Sequence, residues 1–347
     1  SVTIVTFAEL LFDGAQQEVI LLLAQRSAAD GEQGVRIVEM RNAGSLMETS
    51  PESIAREPFK RKLPDSMKWQ AYYLDDRALD LITELEASSD VHVSSELFDV
   101  NVGVVSGQNS FFVMDENTAN ANRIMGSCIP IVSRSLQFEG LSFTDEDYQK
   151  QLEQQRKVLL FRPSDELTED EARYIHIGEM SGYDKNFKCR IRKPWYAVPT
   201  SWVPDAFFYR QVGAFPRIVI NNKGAQTTDT LHKVRFAKGV EGKAVAVAFN
   251  NSLTFAVSEL MGRSYGGGVL TFEPSEARSL PVPFVKGLAF DFEKADALAR
   301  QGKIEQLLDY VDGILLLDGL GLDKSDAALL RDSWHILRDR RLNRKKR

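Results

Sequence analysis

No two prolines are adjacent in this 347-residue chain, cysteine occurs twice, and histidine four times. Cys128 and Cys189 stand far apart in sequence, which gives neither a disulfide framework nor a zinc-ligand spacing and fits a reducing compartment. His92, His176, His232 and His335 show no ligand pattern and read as structural residues. Only His232 draws notice, because it neighbours Lys233 and Arg235. No apolar run approaches the ~18 residues of a membrane span. The runs at residues 19–24 and 314–317 have only the length of a buried strand or helix segment. The opening Ser-Val-Thr-Ile-Val-Thr-Phe carries no basic stretch and does not read as a signal peptide. These absences predict a cytoplasmic protein with no membrane partner.

What is abundant is charge, unevenly placed. The net charge is -6. Yet residues 183–243 contain twelve Lys or Arg against four Asp or Glu, and residues 331–347 eight against two. The rest of the chain therefore carries -20. A basic stretch inside an acidic protein says more about partners than the overall balance does.

Residues 1–7, 18–25 and 35–41 read as three strands. The first alternates and is β-branched. The second is a continuous apolar run of the kind covered on both faces. A Phe12-Asp13-Gly14 turn separates these two, and the turn-rich residues 27–34 precede the third. No helix fits between the second and third, so they are expected to pair as an antiparallel hairpin. Three strands alone make a poor domain and predict the edge of a larger sheet, with exposed apolar faces where that sheet is missing. Ser50 and Pro51 mark a helix start, and residues 75–87 have helical spacing at Leu79, Ile82 and Leu85. Short strands are expected at 100–105, 110–114, 158–161, 217–221 and 245–249. From residue 291 the pattern turns helical, and the basic end is expected to fray.

Several segments, in this order, resemble the TaqI-like, gamma-class adenine-specific DNA methyltransferases of restriction–modification systems. Glu9 and Phe12 resemble the turn after that family's catalytic motif, and the strands that follow resemble the hairpin closing its sheet. Val102-Gly103-Val104-Val105-Ser106-Gly107-Gln108-Asn109-Ser110-Phe111-Phe112-Val113 resembles the opening strand pair of its target-recognition domain. Arg190-Ile191-Arg192-Lys193-Pro194-Trp195-Tyr196-Ala197-Val198-Pro199 and the strand and loop of 221–232 resemble its middle. Asn251-Ser252, Gly262-Arg263-Ser264-Tyr265-Gly266-Gly267-Gly268-Val269-Leu270 and Leu280-Pro281-Val282-Pro283 resemble its close. The family also has an Asn-Pro-Pro-aromatic motif that binds the extruded adenine, and a glycine-rich turn that holds S-adenosyl-L-methionine. Neither stands in this chain; both are expected before residue 1. The resemblance thus implies a C-terminal piece of a longer polypeptide, or one half of a split enzyme. It implies no catalytic residue and no cofactor here, with S-adenosyl-L-methionine belonging to the complete enzyme.

Three motifs imitate other chemistry. Lys193-Pro194-Trp195-Tyr196 is shaped like the catalytic motif, but a lysine is donor-only and cannot accept from an amino group. Arg192 and Lys193 are read as phosphate contacts there, with Trp195 and Tyr196 packing or stacking. Residues 315–323 imitate a cofactor turn but place Leu322 and Asp323 where small residues are needed, and are read as a helix connector with Asp323 or Ser325 as cap. Pro204-Asp205 with Glu241-Gly242-Lys243 faintly resembles a metal-dependent nuclease signature. The glycines of 266–268 are either a plain turn or a close approach to DNA, and Gln108 and Asn109 either cap a turn or read adenine edges.

The expected fold is α+β: residues 1–45 as terminal strands of a Rossmann-like methyltransferase sheet, 46–290 as a β-rich target-recognition domain, and 291–347 as a helical extension. The expected function is sequence-specific recognition of double-stranded DNA beside a missing N-terminal catalytic half, in a bacterial or archaeal, nucleoid-associated protein. The expected DNA contacts are Lys185, Lys188, Arg192, Lys193, Lys223, Lys233, Arg235, Arg263, Tyr265 and Gly267. A docking subunit that binds a separate catalytic chain, and a nuclease, are the alternatives.

Overall fold

The computed structural model describes residues 1–12, 18–25, 34–64, 67–200 and 202–343. The expected turn at 12–14, the segment 27–34 and the last four basic residues fall partly or wholly outside these.

The first sheet has three strands, β1 (Val2–Phe7), β2 (Ile20–Ala24) and β3 (Val35–Met40), with β1 in the middle. It pairs antiparallel with β2 and parallel with β3. The expected β2–β3 hairpin does not form. The reason lies in burial. Ile4 faces a core with Val35 and Tyr72, while Val5 and Phe7 face another with Val38 and Met40. A strand apolar on both faces takes the central place. The apolar run of β2, expected to be covered, is exposed along its whole length at the sheet edge.

Helix starts follow their caps. The Ser50 side chain accepts from the Ser53 amide with Pro51 in the first turn, and Asp75 accepts from Ala78 at 2.7 Å to open the Asp76–Glu86 helix. That helix buries Leu79, Ile82 and Leu85.

The central sheet runs in the order Phe98–Val102, Leu231–Phe236, Ala206–Tyr209, Ile218–Asn221, Ser142–Phe143. Only the last strand pairs parallel. Alternation sorts its side chains into two cores. Phe98, Val100, Phe208, Ile218 and Val234 enter one, and Phe143, Phe207, Val219 and Leu231 enter the other. Lys233 and Arg235 share the second face.

Two expected strands are helical. Residues 109–112 form a helical turn, leaving only Val113–Met114 extended. Gly107 precedes it at φ +86 and turns the chain. Gly242–Ala248 is a helix whose residues from Ala244 onward are buried. Its Val-Ala alternation mimics a strand, but small residues on every side suit a helix enclosed all round.

The C-terminal region is helical as expected: Phe292–Arg300, Ile304–Asp312 and Lys324–Leu342. Between the last two lies a π-helical turn, Gly313–Gly319, and Asp323 caps the final helix by accepting from Ser325 and Asp326. Trp334, fully buried, packs on Phe255 of the Ser252–Met261 helix. Arg300 ties Phe292–Arg300 to the central sheet's edge, pairing with Asp147 at 2.7 Å and Asp296 at 2.6 Å, while Asp296 accepts from the amides of Leu141 and Ser142. The chain is thus a mixed helix-and-strand fold, with helices interleaved among several small sheets.

Candidate nucleic-acid interface

The basic segment begins at Gly182, whose φ of +75 reverses the chain after the Glu169–Met180 helix. Two short turns follow, Tyr183–Lys185 and Phe187–Arg190. Lys185, Lys188 and Lys193 are exposed and have no carboxylate partner among the described residues. Exposed Phe187 lies under both Lys188 and Arg190, each 5.5 Å from the ring centre.

Arg192 is engaged within the chain. It donates to the Ser106 carbonyl at 2.6 Å and to that of Val105, and burial lowers its pKa. Its guanidinium locks the basic segment onto the 105–107 loop rather than standing free. Gly107 makes that contact possible, since a Cβ there would lie 2.9 Å from Cys189 Sγ. Trp195 packs: its ring centre is 5.5 Å from Phe111 and 6.0 Å from Phe112, and its Nε1 donates to Glu179.

Lys233 and Arg235 lie on either side of one register step and share one aromatic ring. Lys233 Nζ is 4.3 Å and Arg235 Cζ 4.2 Å from the centre of Trp202. Arg235 is exposed, but Lys233 is only 5% exposed, and burial lowers its pKa with Arg235 adding to the effect. Lys223 is neutralised by Asp145 at 2.5 Å.

The remaining expected contacts stand on a separate hairpin, Arg263–Tyr265 with Val269–Thr271. Arg263 grips Glu276 through Nε at 2.8 Å and Nη2 at 2.6 Å. Tyr265 and Gly267 are exposed, Gly267 at φ +76. The close approach that Gly268 permits is met within the protein, because a Cβ there would lie 3.0 Å from the Arg341 carbonyl. The ten expected residues therefore divide into free cations (Lys185, Lys188, Lys193, Arg235), a buried cation (Lys233), paired ones (Arg192, Lys223, Arg263) and two exposed loop residues.

The residues of the motifs that imitate other chemistry are placed as follows. Asp205 accepts from the Phe236 amide at 3.0 Å, Lys243 lies 3.8 Å from Glu293, and no group of three His, Cys, Asp or Glu that could hold a metal occurs among the described residues. His232 is buried against the Phe272 carbonyl at 2.8 Å, and burial lowers its pKa. The 315–323 connector does not fit S-adenosyl-L-methionine: a Cβ on Gly319 would meet Leu288 at 2.7 Å, so the glycine answers to packing and not to a ligand.

A groove of about 640 Å³ was not foreseen from the sequence, apart from Asn109. Its walls come from residues 109–113, 133–139 and 151–157. The only sequence signal is the amide- and cation-rich end of one helix, Gln151 to Lys157.

Among the described residues, no helix is long and apolar enough to cross a membrane by itself; the two short helices Gly242–Ala248 and Ser252–Met261 are apolar enough together but meet at 76°. Among solved structures, the type IIG restriction endonuclease BpuSI is similar over 77% of this chain and 33% of its own, at 13% identity and a TM-score of 0.47. The chain spans about a third of that enzyme's length. No curated protein matches it. A family model covers residues 66–316, most of the chain, and on that match the chain belongs to the family of the C-terminal domain of type II methyltransferase M.Eco57I.

Proposed function

We propose that this chain is the duplex-DNA-recognising part of a restriction–modification methyltransferase of the TaqI-like, gamma, adenine-modifying class. The observation that carries the reading lies inside the family-matched span. Lys185, Lys188 and Lys193 are exposed, with no carboxylate partner among the described residues, on one surface segment of a protein whose net charge is -6. An acidic protein keeps unpaired cations together at a surface that meets a polyanion. Arg235, held over Trp202, extends the same chemistry on the central sheet.

On this reading phosphate contacts set the orientation of the duplex, and a few base-edge contacts set the sequence. Residues 46–290 act as the target-recognition domain, with 291–347 as its helical buttress. S-adenosyl-L-methionine and the groups that receive the extruded adenine belong to an N-terminal catalytic half, on the same polypeptide or a separate chain. The exposed apolar edge of β2 supports this, because residues 1–45 are then the last strands of that half's sheet. The protein works where DNA is, at the nucleoid in the cytoplasm.

The test is fluorescence anisotropy with random-sequence duplex DNA across a salt series. Affinity is expected to fall steeply with salt, with a log–log slope of about -0.9 per phosphate neutralised. Replacing Lys185, Lys188 and Lys193 by alanine together is expected to flatten that slope by about 0.9 for each lysine that meets a phosphate. Negligible binding at low salt by a folded chain overturns the reading.

A further inference from the structure

Resting on that reading, we infer that the groove between residues 133–139 and 151–157 is a second contact for the duplex, at which Arg134, Arg156 and Lys157 hold one strand's phosphates and Asn109, Gln154 and Leu136 meet bases. Arg134 and Leu136 come from the single 3-10 turn Ser135–Gln137 and its cap, after Cys128–Val132, and the other wall is the end of the Asp145–Glu153 helix with the residues that follow it.

Charge is the first argument. Arg134, Arg156 and Lys157 are all exposed, and none forms a close ion pair among the described residues, Lys157 acting on Asp115 only at longer range. The one carboxylate lining the groove, Glu139, is neutralised by Lys150. Exposed cations bind a single small anion weakly in water, because the interaction is screened. A polyanion differs, since each phosphate neutralised releases condensed counterions. Three exposed cations without a close ion pair among the described residues, set along an open groove, therefore fit a nucleic-acid strand better than a small metabolite.

The backbone is the second argument. Gln155 stands at φ +53, in the left-handed region where a helix ordinarily ends on glycine. The turn is closed by Gln155 N to Leu152 O at 2.8 Å and Arg156 N to Gln151 O at 2.9 Å. It places Arg156 and Lys157 at the groove. Ser133 Oγ to the Lys157 carbonyl at 3.5 Å then bridges the two walls.

The third argument is the kind of side chain at the mouth. Gln154 is exposed and engages no side-chain hydrogen bond among the described residues, and the Asn109 amide group is free while its oxygen accepts from Ser106. Such amides match the paired donor and acceptor of an adenine edge in the major groove. Leu136 is 90% exposed, which no packing in this chain explains. An apolar tip beside phosphate-binding cations suits contact with a thymine methyl or a base step.

The experiment uses the full chain and duplex DNA by anisotropy, with melting curves to show that each variant folds. The triple variant R134Q/R156Q/K157Q is expected to reduce the salt slope by about 0.9 per cation that meets a phosphate, while K185A/K188A/K193A serves as the comparison. On a duplex selected for tight binding, Gln154→Ala and Asn109→Ala are each expected to lower discrimination against a mismatched site on the order of 10-fold or more. An unmodified chain that binds, a weakened lysine triple and an unchanged groove triple together overturn the groove alone. An unmodified chain that is folded and does not bind overturns both proposals.

Discussion

Arg341, in the last turn of the C-terminal helix, forms a two-pronged ion pair with Glu259, Nε to Oε2 at 2.8 Å and Nη2 to Oε1 at 2.5 Å, with both side chains almost wholly excluded from solvent. The same guanidinium donates to the carbonyls of Gly213 and Gly268. One residue thus joins the Lys324–Leu342 helix, the Ser252–Met261 helix and the glycine loop. Burial raises the pKa of Glu259, and Arg341 opposes that. Removing Arg341 leaves a buried acid without its partner. Arg341→Ala is expected to lose about 3–5 kcal/mol of stability by urea unfolding. The double variant R341M/E259L is expected to recover much of it. Equal losses in both would show that the carbonyl contacts, not the ion pair, hold the helix.

Glu171 gives a pH dependence. It is fully buried, which by itself raises a carboxyl pKa, but hydrogen bonds from Thr168, Ser127 and Ser164 outweigh burial and bring it from 4.5 down to about 2. A lowered folded-state pKa means stability that is present above the unfolded value and lost as pH falls toward the folded one. Unfolding midpoints are expected to drop between about pH 4.5 and pH 2, and more gently in Glu171→Gln. A variant curve parallel to the parent's would remove Glu171 from the account.

These two networks show what local sequence can and cannot reveal. Helix caps were legible because cap and amide are three residues apart, as at Ser50 and Asp323. The strand at Ile218–Asn221 was legible because its apolar residues fill a short window between breakers. Charge was visible at Lys223 and Arg192, but their partners were not: Asp145 is 78 positions away and the carbonyls of Ser106 and Val105 are 86 and 87 away. The groove escaped for the same reason, since its walls are three polar stretches with no shared periodicity. Gly242–Ala248 misled because a two-residue alternation and an all-buried helix give one pattern when every position is apolar.

Gln155 predicts a gain from a simplifying change. Its φ of +53 carries a steric cost that glycine avoids. Among the described residues its side chain returns two long contacts, from the Asn117 amide and to the Leu152 carbonyl, both 3.3 Å. Gln155→Gly is expected to stabilise the chain by about 0.5 kcal/mol, since relief of strain exceeds the added freedom of the unfolded chain. A loss of more than about 1 kcal/mol would show that those side-chain contacts hold the turn.

The edge of β2 predicts self-association. Ile20, Leu21, Leu22 and Leu23 are 51%, 37%, 58% and 51% exposed, on a strand that, among the described residues, is paired along one side only, by β1. An apolar edge with open backbone groups is a template for another strand. The isolated chain is expected to bind hydrophobic dyes and to enlarge with concentration in light scattering. Leu21→Lys with Leu23→Lys is expected to suppress both and to change stability by no more than about 0.5 kcal/mol, the usual range for a surface site. If the strand instead joins a catalytic half, the same pair of lysines weakens that complex while leaving the duplex affinity of this chain unchanged. A fall in unfolding stability of about 2 kcal/mol or more would mean that the strand is covered by its own chain in solution, and that its apolar face needs no partner.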